Sequence, residues 1–229
     1  MSKKLFCLLV PLIIFLGLLY FGWLVWGYYK QIKSGDLIVA ENGQFTLLVN
    51  RPTESAKKFD QTLIKGEDSQ QIGNPAAKIQ IVEFIDFTCS FSKQAFLVMR
   101  ELVAKYPERV GLTIRHFPLQ DDSHQGGLEA AIASVCAAEQ GKFWAYHDRL
   151  FQNQKKFTQV DLQSYAGQIG LNVPSFIKCL GSEEVRKKVE NDWADGYSLG
   201  VVGTPTFFVN NQKIEGSVPL SAWEQAINK

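Results

Sequence analysis

Residues 79–106 limit the possible folds more than any other part of the chain. In Ile79-Gln80-Ile81-Val82-Glu83-Phe84-Ile85 only Gln80 and Glu83 are polar. A short run that is apolar on both pleat faces predicts a buried, central strand. Beyond it, Phe91, Ala95, Val98, Met99, Leu102, Val103 and Tyr106 recur at helical spacing until Pro107 ends the pattern. Between strand and helix lies Asp86-Phe87-Thr88-Cys89-Ser90-Phe91-Ser92. A cysteine at such a junction sits beside unpaired backbone N–H groups, and these together with the helix dipole favour a thiolate. A Cys-x-x-Cys pair would place a second thiol at position 92, where this chain has Ser92.

The chain has 229 residues and a formal net charge of +1. That is room for one membrane anchor and one domain of good size. The near balance of charge gives no basic footprint for nucleic acid, so no nucleic-acid partner is expected. Four cysteines are too scattered for a disulfide-scaffold miniprotein or a zinc site, and the three histidines lack metal-ligand spacing. Neither a metal nor a cofactor is expected.

Residues 5–29 carry no formal charge and are flanked by Lys3, Lys4, Lys30 and Lys33. About 20 apolar residues cross a bilayer core, so this stretch predicts one transmembrane helix. Tyr20, Trp23, Trp26, Tyr28 and Tyr29 near its end match an interfacial aromatic belt. A cleaved signal peptide needs a shorter apolar region and a small-x-small site, which Lys30-Gln31-Ile32-Lys33 does not supply. The reading is an uncleaved anchor over residues 1–33. Cys7 falls within it as an apolar residue.

Residues 34–73 read as an extension. Asn42-Gly43 between two apolar runs signals a hairpin, and the polar stretch 51–69 reads as a linker. From 74 to 229 the chain reads as one domain. After the strand and helix of 79–106, Val110 to Phe117 alternate as a second strand. A helical block follows over about 120–199. Thr206-Phe207-Phe208-Val209, a turn at Asn210-Asn211 and Lys213-Ile214-Glu215 then predict a hairpin, with a closing helix from Leu220. The result is an α/β chain on a thioredoxin-like plan with a helical insertion.

Four segments resemble the DsbA-like thiol–disulfide oxidoreductases of bacteria. Ile72-Gly73-Asn74-Pro75-Ala76-Ala77, followed by Val82-Glu83-Phe84-Ile85-Asp86-Phe87-Thr88-Cys89, is similar to that family's approach to its active site. His116-Phe117-Pro118-Leu119 and Gln140-Gly141-Lys142-Phe143-Trp144 resemble its helical insertion. Gly200-Val201-Val202-Gly203-Thr204-Pro205-Thr206 resembles the loop carrying its cis-proline. The departure falls at the chemistry, where the family's Cys-Pro-x-Cys pattern becomes Cys89-Ser90-Phe91-Ser92.

The resemblance implies a nucleophile at Cys89, a proton-shuttling acid at Glu83, and substrate contacts at Phe91, Thr204 and a cis Pro205. With Ser92 in place of the resolving cysteine, Cys89 forms a mixed disulfide that an outside thiol has to resolve. The expected activity is monothiol exchange, of an isomerase-like or glutathione-assisted kind, on exported cysteine-containing proteins. A small thiol or a membrane redox partner completes the cycle, and the domain faces the extracytoplasmic side. The alternative is a decayed site in a non-covalent holdase or assembly factor. Two further points stay open in the residues alone. Glu83 is either a buried acid or a strand-end carboxylate reaching solvent. Cys136 and Cys179 either form a structural disulfide or, for Cys136, simply fill an apolar helix face. His116, His124 and His147 read mainly as structural, with His116 or His124 placed to tune the thiol.

Overall fold

The computed structural model describes residues 17, 20, 26, 38–39, 45–46, 59–66, 69–210 and 212–228. The predicted anchor over residues 5–29 lies outside these, apart from Gly17, Tyr20 and Trp26. Among the described residues no helix is long and apolar enough to cross a membrane. The chain divides into two units, residues 1–54 and 55–229. In the first, β1 (Ile38–Val39) pairs antiparallel with β2 (Phe45–Thr46), with Val39 opposite Phe45.

The second unit is built on a five-stranded sheet. In chain order its elements are α1 (Gln61–Lys65), β3 (Gln70–Gly73), β4 (Ile79–Ile85), α2 (Ser90–Lys105) and β5 (Val110–His116). Then come α3 (Gly127–Ala138), α4 (Phe143–Gln152), α5 (Gln159–Gln168), α6 (Val173–Leu180) and α7 (Glu183–Ser198), and finally β6 (Thr206–Val209), β7 (Gln212–Glu215) and α8 (Leu220–Ile227). The strands lie in the order β3-β5-β4-β6-β7. Only β4 and β5 run parallel; the other pairings are antiparallel. A parallel pair needs a crossover, and α2 provides it. The strongest apolar strand therefore occupies the centre, as its two-faced hydrophobicity requires.

Each face of the sheet has its own core. Ile81, Ile85, Leu112 and Ile114 pack with α2, α3, α4 and α8 on one side. Val82, Phe84, Phe117 and Phe208 pack with Phe59, Leu63, Ile64 and Trp193 on the other. The second core uses residues that sequence polarity assigns to a linker. α1 and β3 fall within the predicted extension 34–73, and the physical reason is Arg115. Its side chain is 1 % exposed. Nε donates to Asp192 Oδ1 and Nη2 to Asp195 Oδ2, each at 2.6 Å, while Nη1 donates to the carbonyls of Leu63 at 2.6 Å and Ile64 at 3.1 Å. One buried guanidinium thus joins β5, α1 and α7. Gly66 makes the approach possible: a Cβ there would lie 2.3 Å from Arg115 Cζ, and its φ of +65° suits glycine.

The helical block carries a disulfide between Cys136 of α3 and Cys179 of α6, with Cα atoms 5.7 Å apart. Cys136 is fully buried, so it occupies the apolar helix face and is bonded as well. Among the helices, α5 is begun by a reciprocal cap: Thr158 Oγ1 accepts from the Asp161 N–H, and Asp161 Oδ2 accepts from the Thr158 N–H.

Candidate functional site

The turn between β4 and α2 is organised by Asp86. This residue is 2 % exposed. Its Oδ1 accepts from the Thr88 N–H at 2.7 Å and from the Thr88 hydroxyl at 2.6 Å, an Asx-type turn that reverses the chain at the strand end. Its Oδ2 accepts from the Leu119 N–H at 2.8 Å, and its backbone carbonyl accepts from the Cys89 N–H at 3.1 Å. Gly127, the first residue of α3, leaves room for the carboxylate; a Cβ there would lie 2.9 Å from Oδ1. Sequence reasoning missed Asp86 as the organiser, although Asp two residues ahead of Thr at a strand end is the available signal.

The turn delivers Cys89 to the N-cap position of α2 with extended backbone (φ −73°, ψ 126°). Cys89 is the one free cysteine among the described residues and is 5 % exposed. Its thiol donates to the Thr204 carbonyl at 3.2 Å. The Thr204–Pro205 peptide bond is cis. Thr204 is 8 % exposed and its hydroxyl has no hydrogen-bond partner. The nucleophile candidate and the proline loop, far apart in sequence, thus meet. Phe91, on the first turn of α2, is 49 % exposed, and Val202, in the proline loop, is 81 % exposed. Val202 belongs to the segment that resembles the family's proline loop, and its exposure is not marked by any pattern in the sequence.

Ser92 lies in the first turn of α2 and is fully buried. Its hydroxyl oxygen accepts from the Asp86 N–H at 3.4 Å, so it faces inward to the turn. A dithiol protein releases its partner by internal attack of a second sulfur. No such sulfur stands at this position.

Glu83 sits on β4 opposite Ile114 on one side and Phe207 on the other. It is 2 % exposed and Oε1 has no hydrogen-bond partner. Of the two sequence readings, the buried acid is the one found; the strand end reaching solvent is not. Loss of hydration pushes its carboxyl up to about 8.

His116 ends β5 and is also buried, with Nε2 3.3 Å from the Ser134 hydroxyl and Nδ1 unpartnered. Burial first, then the charges of His147 and Arg115, lower its imidazole to about 3. The buried His147 ring is likewise lowered, chiefly by burial, although Asp148 Oδ1 lies 3.1 Å from Nδ1. Phe87 stands next to both, its ring centroid 6.0 Å from His116 and 5.6 Å from His147. His124 lies apart from them, its Nδ1 2.8 Å from the Asp121 carboxylate. The two buried rings are neutral packing partners of the Cys89 turn.

Sheet order, crossover helix, helical insertion and proline loop define a mixed α/β thioredoxin-like protein. A thioredoxin family model matches residues 65–229, and the chain belongs to that family. A thioredoxin-like oxidoreductase from Silicibacter pomeroyi DSS-3 is similar in structure, with a TM-score of 0.66 and 26% identity over 74% of this chain and 96% of that one. The thiol–disulfide exchange protein alpha-DsbA2 of Wolbachia pipientis has the same fold (TM-score 0.65, 17% identity, 73% and 89% of the two chains). Among curated proteins, the Na(+)/H(+) antiporter NhaA of Herminiimonas arsenicoxydans is 36% identical over 145 residues, 63% of this chain and 23% of that one. NhaA 3 of Salinispora tropica is 35% identical over 155 residues, 68% and 24% of the two chains. The chain thus spans about a quarter of the length of these relatives.

Proposed function

We propose that this protein carries out thiol–disulfide exchange through Cys89 alone. The observation that carries the reading is the Cys89 thiol at the head of α2, 3.2 Å from the carbonyl beside Pro205, with a hydroxyl at position 92. The Cys89 thiolate attacks a partner disulfide; a bond to one partner sulfur forms, the partner's S–S bond breaks, and the other sulfur leaves as a thiolate that takes up a proton. A second thiolate, from a small thiol or a redox partner, then attacks the mixed disulfide and frees Cys89. In this scheme Glu83 holds and returns the proton, and Phe91, Thr204 and Pro205 contact the incoming chain.

The substrates proposed are exported cysteine-containing proteins, met on the extracytoplasmic side by a domain tethered through residues 5–29. A disulfide at Cys136–Cys179 supports an oxidising compartment. Antiporter names among the relatives support a membrane setting.

The test is incubation of the full chain with oxidised glutathione followed by intact-mass measurement. One glutathione per chain is expected, with none on Cys89→Ala. Reactivity of Cys89 no greater than that of a free cysteine would remove the catalytic reading. Partner capture undiminished in Cys89→Ala would favour a non-covalent holdase.

A further inference from the structure

Gln154 lies just beyond α4, far from Cys89 in sequence, yet its side chain reaches the Cys89 turn. The single nitrogen Nε2 donates to the Phe87 carbonyl and to the Cys89 carbonyl, both at 2.9 Å. An amide nitrogen has two hydrogens, so both are spent on the two carbonyls that flank Thr88. The Cys89 carbonyl also accepts the first bond within α2, from the Lys93 N–H at 3.1 Å. Asp86 holds the same turn from the other side through Thr88. The backbone next to Gln154 is tightly set: the Asn153 N–H donates to the Leu150 carbonyl and its side-chain amide to the Arg149 carbonyl, and Lys155 has φ of +69°, an uncommon conformation for a residue with a side chain.

We propose that Gln154 is a positioning residue for Cys89, through which the helical block holds the reacting thiol. The proposal rests on the reading of Cys89 as the exchanging thiol and adds what sets its reactivity. Carbonyl oxygens carry partial negative charge, and those of Phe87 and Cys89 belong to the backbone that bears the sulfur. Unpaired, they oppose negative charge on that sulfur; hydrogen-bonded to Gln154, they oppose it less, and the first turn of α2 stays in place beneath it. The amide also supplies these bonds from the protein rather than from water, so they persist when a partner covers the site.

The experiment compares Gln154→Met and Gln154→Glu with wild type in the full chain, measuring the rate of Cys89 alkylation over a pH series and the thermal unfolding of each variant. Methionine keeps the length without a donor; glutamate keeps the shape and replaces donors by acceptors. The expected result is alkylation about tenfold slower near neutral pH in both, with the half-maximal rate displaced to higher pH and maximal rates regained in alkali. Rates and pH profiles equal to wild type in a folded variant would overturn the proposal. So would uniform slowing with an undisplaced profile, which marks a merely structural role. If one variant does not fold, the other gives the same reading. A wild-type thiol no more reactive than free cysteine would remove the functional reading itself, a result distinct from unaltered variants of a reactive wild type.

Discussion

The Cys89 thiol donates to the Thr204 carbonyl at 3.2 Å, joining the start of α2 to the loop that enters β6. Two segments 115 residues apart meet at one sulfur. Asp86 and Gln154 hold the cysteine turn, and the pairing of β6 with β4 holds the loop.

Ser92→Cys puts a second sulfur where the fold already buries a side chain. The swap is close in volume and gives up one long hydrogen bond to Asp86, so stability should change by less than about 1.5 kcal/mol. Insulin reduction by dithiothreitol should be accelerated by the variant and not by wild type. A folded Ser92→Cys without this gain would mean that the site lacks more than a resolving thiol.

Glu83 makes stability fall as pH rises from 4.5 to about 8. Its folded value of about 8 is above the ordinary 4.5. Below 4.5 both folded and unfolded chains hold the proton; between 4.5 and 8 only the folded chain does, so rising pH draws the equilibrium toward unfolding. His116, lowered to about 3, acts oppositely and only below its ordinary 6.5, so the comparison is with a variant and not of wild type alone. Urea midpoints of wild type should drop between about pH 6.5 and about pH 8.5, and Glu83→Gln should remove most of that drop, worth on the order of a few kcal/mol. An unchanged slope in the variant would contradict the assignment.

Arg115→Met should destabilise the domain by about 3–5 kcal/mol, because it strands Asp192 and the Leu63 and Ile64 carbonyls together. Urea unfolding reads the total. Limited proteolysis should show earliest cleavage near residues 59–66, and protection equal to wild type there would show that α1 is held without Arg115.

Replacing Cys136 and Cys179 together by alanine removes a cross-link spanning 43 residues. Chain entropy alone predicts a loss of about 4 kcal/mol in urea unfolding. Alkylation of Cys89 in the folded variant should stay at the wild-type rate, since the hydrogen bonds that hold its turn come from Asp86 and Gln154 and not from the disulfide.

Much of this could be read from the residues because the decisive patterns are local. A run apolar on both faces specified β4, helical spacing after it specified α2, and turn residues placed the β6–β7 hairpin. The docking of α1 and β3 was not legible, since Gln70-Gln71-Ile72-Gly73 has little apolar periodicity and Arg115 looks like the polar side of an alternating strand. Only the tertiary fold shows two aspartates and two carbonyls converging on it. At the site, the residue types at 83, 89 and 92 were legible, while the environment of each was not. Whether Glu83 meets water depends on which strands flank it, and Gln154 reaches the turn from a loop without any motif.

The strand order has a consequence for self-association. The two outer strands of the five-stranded sheet, Gln70–Gly73 and Gln212–Glu215, have four residues each and are largely polar, with Gln70 and Gln71 on one and Gln212, Lys213 and Glu215 on the other. Short polar edges are poor templates for a foreign strand and protect against edge-to-edge aggregation.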